Sequence, residues 1–176
     1  MDWLSIREFM IDSVKFVATI IIFLVLFLYV VSVTQVVGSS MAGTLENQEV
    51  LILNKAKYHL FDVERGDIIS FAYADTKYLI KRVIGMPGDT VKVIDNKLYI
   101  NDQLYDEEYL SDGVVTNDFS LMELGYEKIP EDKYLVLGDN RENSLDSREI
   151  GLVNEKDIIG KISFRIWPLN KVGFPR

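Results

Sequence analysis

The longest apolar run lies near the start of the chain. Phe16 to Val33 reads FVATIIIFLVLFLYVVSV without a charge, and apolar character continues to Val36 and Val37 past Thr34 and Gln35. About 20 such residues span a bilayer core as a helix. The pattern therefore predicts a membrane anchor over residues 16–37 behind a short tail, 1–15. A cleaved leader would have a shorter apolar core and a basic start. A buried helix without a polar face would need a larger protein around it.

Beyond residue 40 the pattern changes to short apolar runs between turn residues. Runs at 49–54, 67–73, 78–84, 90–94, 97–100, 134–137 and 159–166 predict strands. Asp95-Asn96 between two alternating runs predicts a tight hairpin turn. Met86-Pro87-Gly88-Asp89 and Gly138-Asp139-Asn140 also read as turns. No segment there has a long helical period. The expected fold is mainly β: an N-terminal transmembrane helix, then a barrel-like antiparallel β-domain over 38–176. Residues 106–132 are acidic and poor in strand signal, and read as an irregular excursion.

Length and charge narrow the function classes. The chain has 176 residues, 48% of them hydrophobic, which suits one compact domain beside the anchor. The net charge is −8, and residues 1–37 account for only −1 of it. An acidic domain repels phosphate backbones, so nucleic acid is not an expected partner. Cysteine is absent, which removes disulfides, thiolate metal sites and a cysteine nucleophile. Charge does not orient the anchor: Arg7 and Lys15 before it are balanced by Lys55 and Lys57 after it.

The chemistry available is limited. A single histidine, His59, rules out a multi-histidine metal site, so neither metal nor cofactor is expected. A Ser-His-Asp triad would have to use His59, which lies between strand-like runs where packing or surface roles are commoner. The other base that can serve a serine is a lysine whose charge is penalised by apolar surroundings. Lys81 in YLIKRVIG shares a strand face with Leu79 and Val83, and Ser40 in VVGSSMAGTL follows the anchor. Taken alone, Lys81 is more readily read as a surface lysine beside core neighbours, since charged residues are mostly exposed.

Four stretches, in order, resemble the motifs of bacterial type I signal peptidases. They are Gly38–Leu45 (GSSMAGTL), Arg65–Phe71 (RGDIISF), Tyr78–Asp89 (YLIKRVIGMPGD) and Gly138–Arg148 (GDNRENSLDSR). The resemblance covers essentially the whole chain. It implies a Ser-Lys endopeptidase that removes signal peptides from exported preproteins after small-x-small sites. The implied nucleophile is Ser40 rather than Ser39, because Met41 follows it. The implied general base is Lys81. Ser144 would orient the lysine amine, with Asp146 and Arg148 as a supporting pair. Asp139, Asn140 and Arg141 are read as a structural turn network. Val36, Val37, Met41, Leu79 and Ile80 are the expected walls of the substrate pockets. Membrane-tethered preproteins and the lipid bilayer are the expected partners, with the N-terminus cytoplasmic and the β-domain outside.

One departure from the family pattern matters. Gly43 stands where proline is usual, which is expected to loosen the turn after Ser40. Gly38 offers no side-chain donor for an oxyanion. A catalytically silent relative, an anchored structural β-domain and a self-cleaving Ser-Lys protease are the competing readings. The joint presence of Ser40, Lys81 and Ser144 argues against the first, and the four motifs against the second. The anchor, with no DNA-binding segment ahead of it, argues against the third.

Overall fold

The structure, a computed structural model, describes residues 3–55, 63–74 and 77–175, apart from the side chains at 4, 5, 26 and 28. His59 lies outside the described residues. A helix α1 (Trp3–Val30) leads into strands β1 (Val31–Gln35), β2 (Val50–Asn54), β3 (Ile68–Tyr73) and β4 (Lys77–Gly85). There follow β5 (Val91–Ile94), β6 (Lys97–Ile100), β7 (Gln103–Leu104), β8 (Phe119–Ser120), β9 (Lys133–Leu137), β10 (Val153–Asn154) and β11 (Ile158–Trp167). Seven strands form one sheet in the order β1-β2-β11-β3-β4-β9-β10, and four form a second in the order β7-β6-β5-β8. Every pairing is antiparallel. The mainly antiparallel β architecture is as expected.

Each predicted strand is present within a residue or two. The β5–β6 hairpin turns at Asp95 (φ 49°) and Asn96 (φ 61°), the paired positive φ values that a two-residue turn of this hand requires. Two differences matter. The expected anchor is helical only as far as Val30, because Val31–Gln35 pairs with β2 from Val31↔Asn54 to Gln35↔Val50. The β-branched residues of VSVTQ suit that pleated surface. The 106–132 excursion is also not wholly irregular. It contributes β8 to the second sheet and a capped 3-10 turn, Leu121–Leu124.

The core has three parts. Ile84, Leu135 and Leu137 of the large sheet meet Val91, Val93, Leu98 and Phe119 of the small one and bind the two together. Val36, Met41, Leu45, Leu51, Leu53, Ile68 and Ile162 form a second group. Val63, Ile69, Phe71, Val83, Tyr134, Val136 and Val153 form the third. By contrast α1 leaves Ile20, Phe23 and Val25 at least half exposed. Counted on the described residues alone, no helix is long and apolar enough to cross a membrane. Positions 26 and 28, whose side chains are not described, fall inside the apolar run of α1.

Candidate active site

Ser40 sits in a tight turn that follows β1. Ala42 N donates to Ser39 O (3.0 Å), and Leu45 N donates to Met41 O (2.7 Å). Met41 and Leu45 are buried in the second core group. Each such burial is worth about 2 kcal/mol, so the turn is pinned from below. It is also held from the side. Asn140 N donates to Ser40 O (3.1 Å), Asn140 Nδ2 to Ser39 O (3.0 Å), and Asn143 Nδ2 to Ser39 Oγ (3.2 Å).

Lys81 comes from β4. This strand pairs with β3 along Lys77–Arg82 but meets β9 only from Arg82 onward. Among the described residues, Lys77–Lys81 therefore keeps one strand edge open. Lys81 is 1% exposed, and its Nζ donates to Ser40 Oγ at 2.6 Å and to Ile80 O at 3.0 Å. Burial penalises the ammonium and lowers its pKa from 10.5 to about 8, against the opposing pull of Asp146 and Asp139. A hydroxyl in hydrogen-bond reach of an amine that loses its proton so easily is the arrangement in which a serine can be activated.

The geometry separates the two adjacent serines. Ser40 meets the lysine, and Ser39 is exposed and faces Asn143. Ser144 does not sit as expected. It is buried, its hydroxyl is directed to the Asp146 carboxylate and helps to hold it ionised, and the Lys81 amine bonds Ser40 Oγ and Ile80 O instead. Ser144 and the Ser40 carbonyl oxygen both border the space that a β-carbon on Gly138 would fill.

Asp146 and Arg148 pair as expected, through Arg148 Nε to Oδ1 (2.9 Å) and Nη2 to Oδ2 (2.8 Å). Asp146 is fully buried, which favours its neutral form, yet the Arg148 bonds and the Gly138 N–H (3.0 Å) hold its carboxyl below the ordinary range. Arg148 Nη2 also donates to Arg141 O at 2.7 Å, which ties the two ends of the GDNRENSLDSR loop.

Sequence reading missed a second buried layer. Arg82 forks onto Asp139 (Nε–Oδ1 3.0 Å, Nη2–Oδ2 2.7 Å), and Thr44 Oγ1 donates to Asp139 Oδ2 at 2.5 Å. Arg82 also lies 4.0 Å over the Tyr109 ring. Arg141 is clasped by both Glu107 oxygens and by Thr116 Oγ1 (2.9 Å). Burial and then Glu107 push the Tyr109 phenol far above its usual range. The acidic excursion is thus a clamp on the loop that carries Asn140 and Ser144. Glu107→Gln leaves the buried Arg141 guanidinium uncompensated, and stability is expected to fall by about 2–4 kcal/mol. Thermal melting measures it, and an unchanged Tm would show that the clamp contributes nothing.

Gly43 corrects the expectation drawn from proline. Its φ is +99°, and its N–H donates to Glu46 Oε1 at 3.2 Å. Proline is locked near −65° and has no N–H. Gly43→Pro is therefore expected to destabilise by about 3 kcal/mol or more and to lower activity rather than raise it. Melting and turnover of that variant check both.

Val36, Val37, Met41, Leu79 and Ile80 all line one groove of about 210 Å³ that also includes Ser40, Lys81, Gly38, Ser70 and Tyr78. The structure thus brings the expected wall residues to the Ser40–Lys81 pair. Among the described residues no cluster of side chains could hold a metal ion.

Residues 10–167 match the family model described as signal peptidase, peptidase S26. The chain is 41% identical over 155 residues to a signal peptidase I of Bacillus caldolyticus, covering 84% of this chain and 85% of the relative. It is 40% identical over 176 residues to signal peptidase I P of Bacillus subtilis subsp. natto, covering 92% and 91%. The crystal structure of a signal peptidase I from Enterococcus faecalis V583 superposes with a TM-score of 0.53 at 37% identity. It covers 58% of this chain and 97% of its own.

Proposed function

This chain belongs to the peptidase S26 family of signal peptidases, and from that premise we propose that it removes signal peptides from exported preproteins as a serine endopeptidase. The observation that carries the reading is the 2.6 Å contact between Ser40 Oγ and a buried lysine amine whose pKa is lowered to about 8.

In the proposed reaction Lys81 is neutral and the hydrogen bond reverses, with Ser40 O–H donating to the Nζ lone pair. Oγ attacks the scissile carbonyl carbon while Nζ takes the proton, and an acyl-enzyme forms as the C–N bond breaks and the amine leaves with that proton. Water then attacks the ester, again giving its proton to Lys81, and Ser40 is regenerated. When Nζ carries the proton it has three donors, for which Ser40 Oγ and Ile80 O supply two acceptors. The buried Ser144 hydroxyl, which helps to hold the Asp146 carboxylate, is proposed as the third acceptor.

The peptide lies extended along the open edge of Lys77–Lys81, as an added strand. Its side chains at the first and third positions before the cut enter the groove walled by Val36, Val37, Met41, Leu79 and Ile80. A groove of about 210 Å³ shared by two side chains and a backbone suits small residues at both.

α1 is the membrane anchor in this reading. Phe16–Val30 carries no charge, and its described apolar side chains from Phe16 to Tyr29 are exposed. Tethering enzyme and preprotein to one bilayer raises their effective concentration. The β-domain then faces outward, where mature protein is released. The test is cleavage of a membrane-reconstituted preprotein, with the mature N-terminus read by mass spectrometry and Ser40→Ala as control. A cut after a small-x-small site, lost in the control, supports the reading. No cut, or one that survives in Ser40→Ala, overturns it.

A further inference from the structure

Ser70 stands out among the groove residues. It lies on β3 opposite Ile80 of β4, so the two side chains share one face of the sheet. Ile80 packs against the core group that includes Val36 and Met41. Ser70 is 4% exposed and lines the same groove as Ser40 and Lys81. The other deeply buried polar group there, Lys81, is committed to Ser40 Oγ and Ile80 O. Ser70 Oγ forms no hydrogen bond among the described residues. Nor is it sealed from the groove: the fully enclosed side-chain oxygen of the described residues that falls outside strict hydrogen-bond geometry is Ser144 Oγ, not Ser70 Oγ. A nearly buried hydroxyl without a partner in the protein, set beside the apolar side chains of Val36, Met41 and Ile80 in this groove, is unfavourable until something pairs with it.

We propose that Ser70 is a specificity-determining residue whose hydroxyl selects substrates with a small hydroxyl side chain at one of the two inward-facing positions before the cut. The inference rests on the endopeptidase reading above and deepens it. In an extended peptide alternate side chains share a face, so the first and third positions before the cut both point toward Ser70 and Ile80. A serine there can donate to Ser70 Oγ or accept from it. An apolar side chain of the same size leaves Ser70 unpaired. Discrimination that comes from leaving a buried polar group without its partner is stronger than what size alone supplies. The groove therefore selects small residues by volume and ranks them by hydroxyl content.

The experiment uses synthetic peptides spanning a cleavage site, cut by the full chain in lipid vesicles. At each of the two positions in turn the residue is alanine, serine or 2-aminobutyrate, which matches serine in size but carries a methyl in place of the hydroxyl. At one position the wild type is expected to turn over serine about 5-fold or more faster than 2-aminobutyrate in kcat/KM, the worth of one hydrogen bond. In Ser70→Ala that ratio is expected to fall to about 1, and Ser70→Thr, which keeps the hydroxyl, is expected to retain it. A wild type that prefers 2-aminobutyrate at both positions overturns the inference without any variant having to fold. An unchanged ratio in Ser70→Ala overturns it as well. If the wild type cuts no alanine peptide, the endopeptidase reading itself falls and this one with it.

Discussion

Lys81→Met is expected to lower kcat/KM by about ten-thousand-fold or more, the scale seen when one member of a catalytic nucleophile–base set is removed, while making the folded protein more stable. Methionine matches the lysine stem in volume and needs no hydration. The wild-type amine is 1% exposed, and burial lowers its pKa from 10.5 to about 8. That difference corresponds to about 3 kcal/mol of destabilisation. The folded pKa lies below the unfolded one, so at pH below 8 both states are protonated and the whole penalty is present. Between pH 8 and 10.5 the unfolded lysine holds its proton and the folded one has released it. Wild-type stability therefore gains from this group as pH rises through that window, and Lys81→Met should lack the gain. Chemical denaturation at pH 7 and pH 10 measures both. A variant that is inactive and also less stable at pH 7 would contradict the account, because the buried charge would then be stabilising.

The same shift sets the pH profile of the reaction. Only neutral Lys81 can accept the Ser40 proton, so kcat/KM should fall about tenfold per pH unit below 8 and level off above it. Asp146 and Asp139 both hold the lysine pKa up. Arg82, Arg148 and Arg141 in turn hold those carboxylates and their loop in place. The base is tuned by two opposed influences, with burial the larger.

How much of this could be read from the chain depended on the range of the interaction. The strands were legible because each is a local apolar alternation closed by turn residues, as in VKVI-DN-KLYI. Lys81 and Ser40 were legible as a pair through the resemblance, since apolar strand neighbours alone left Lys81 readable as a surface lysine and only Met41 separated Ser40 from Ser39. β1 was not, since Val31–Gln35 continues that run without a break and only the partner strand Val50–Asn54 distinguishes the two conformations. Glu107, Tyr109 and Thr116 were illegible for a different reason. They lie in a stretch with no period, and their meaning comes from Arg141, about 30 residues away. The Ser70 hydroxyl was read only as part of a strand and of the RGDIISF stretch, with no role of its own, because its importance depends on the groove it opens into. Gly43 was misread for want of one angle. A φ of +99° makes glycine a fit to this turn, where comparison with proline suggested a defect.

Gly138→Ala is expected to show how closely the loop and the turn are fitted. A β-carbon at this position would fall inside contact distance of Ser144 Oγ and the Ser40 carbonyl oxygen, and 2.6 Å from Ser144 Cβ. None of these is the far end of a flexible side chain. The Ser40 carbonyl is held by Asn140 N, and Gly138 N is itself bonded to Asp146. The methyl must therefore push either the Ser40 turn or Ser144 away from its place. A displacement approaching 1 Å at a reacting group costs on the order of a hundredfold in rate. Overpacking adds about 1–3 kcal/mol of destabilisation. The loss should appear mainly in kcat, because the groove walls at Val36, Leu79 and Ile80 lie away from the clash. The sharper readout is the adjacent pair: if the Ser40 turn yields, the apparent pKa of the kcat/KM profile rises from about 8, because the burial that lowers it is relaxed. If Ser144 yields, the profile stays and the rate falls. A Gly138→Ala variant as active as the wild type, with its melting temperature unchanged, would mean that the packing around Ser40 is loose and that this glycine does not set the position of the reacting hydroxyl.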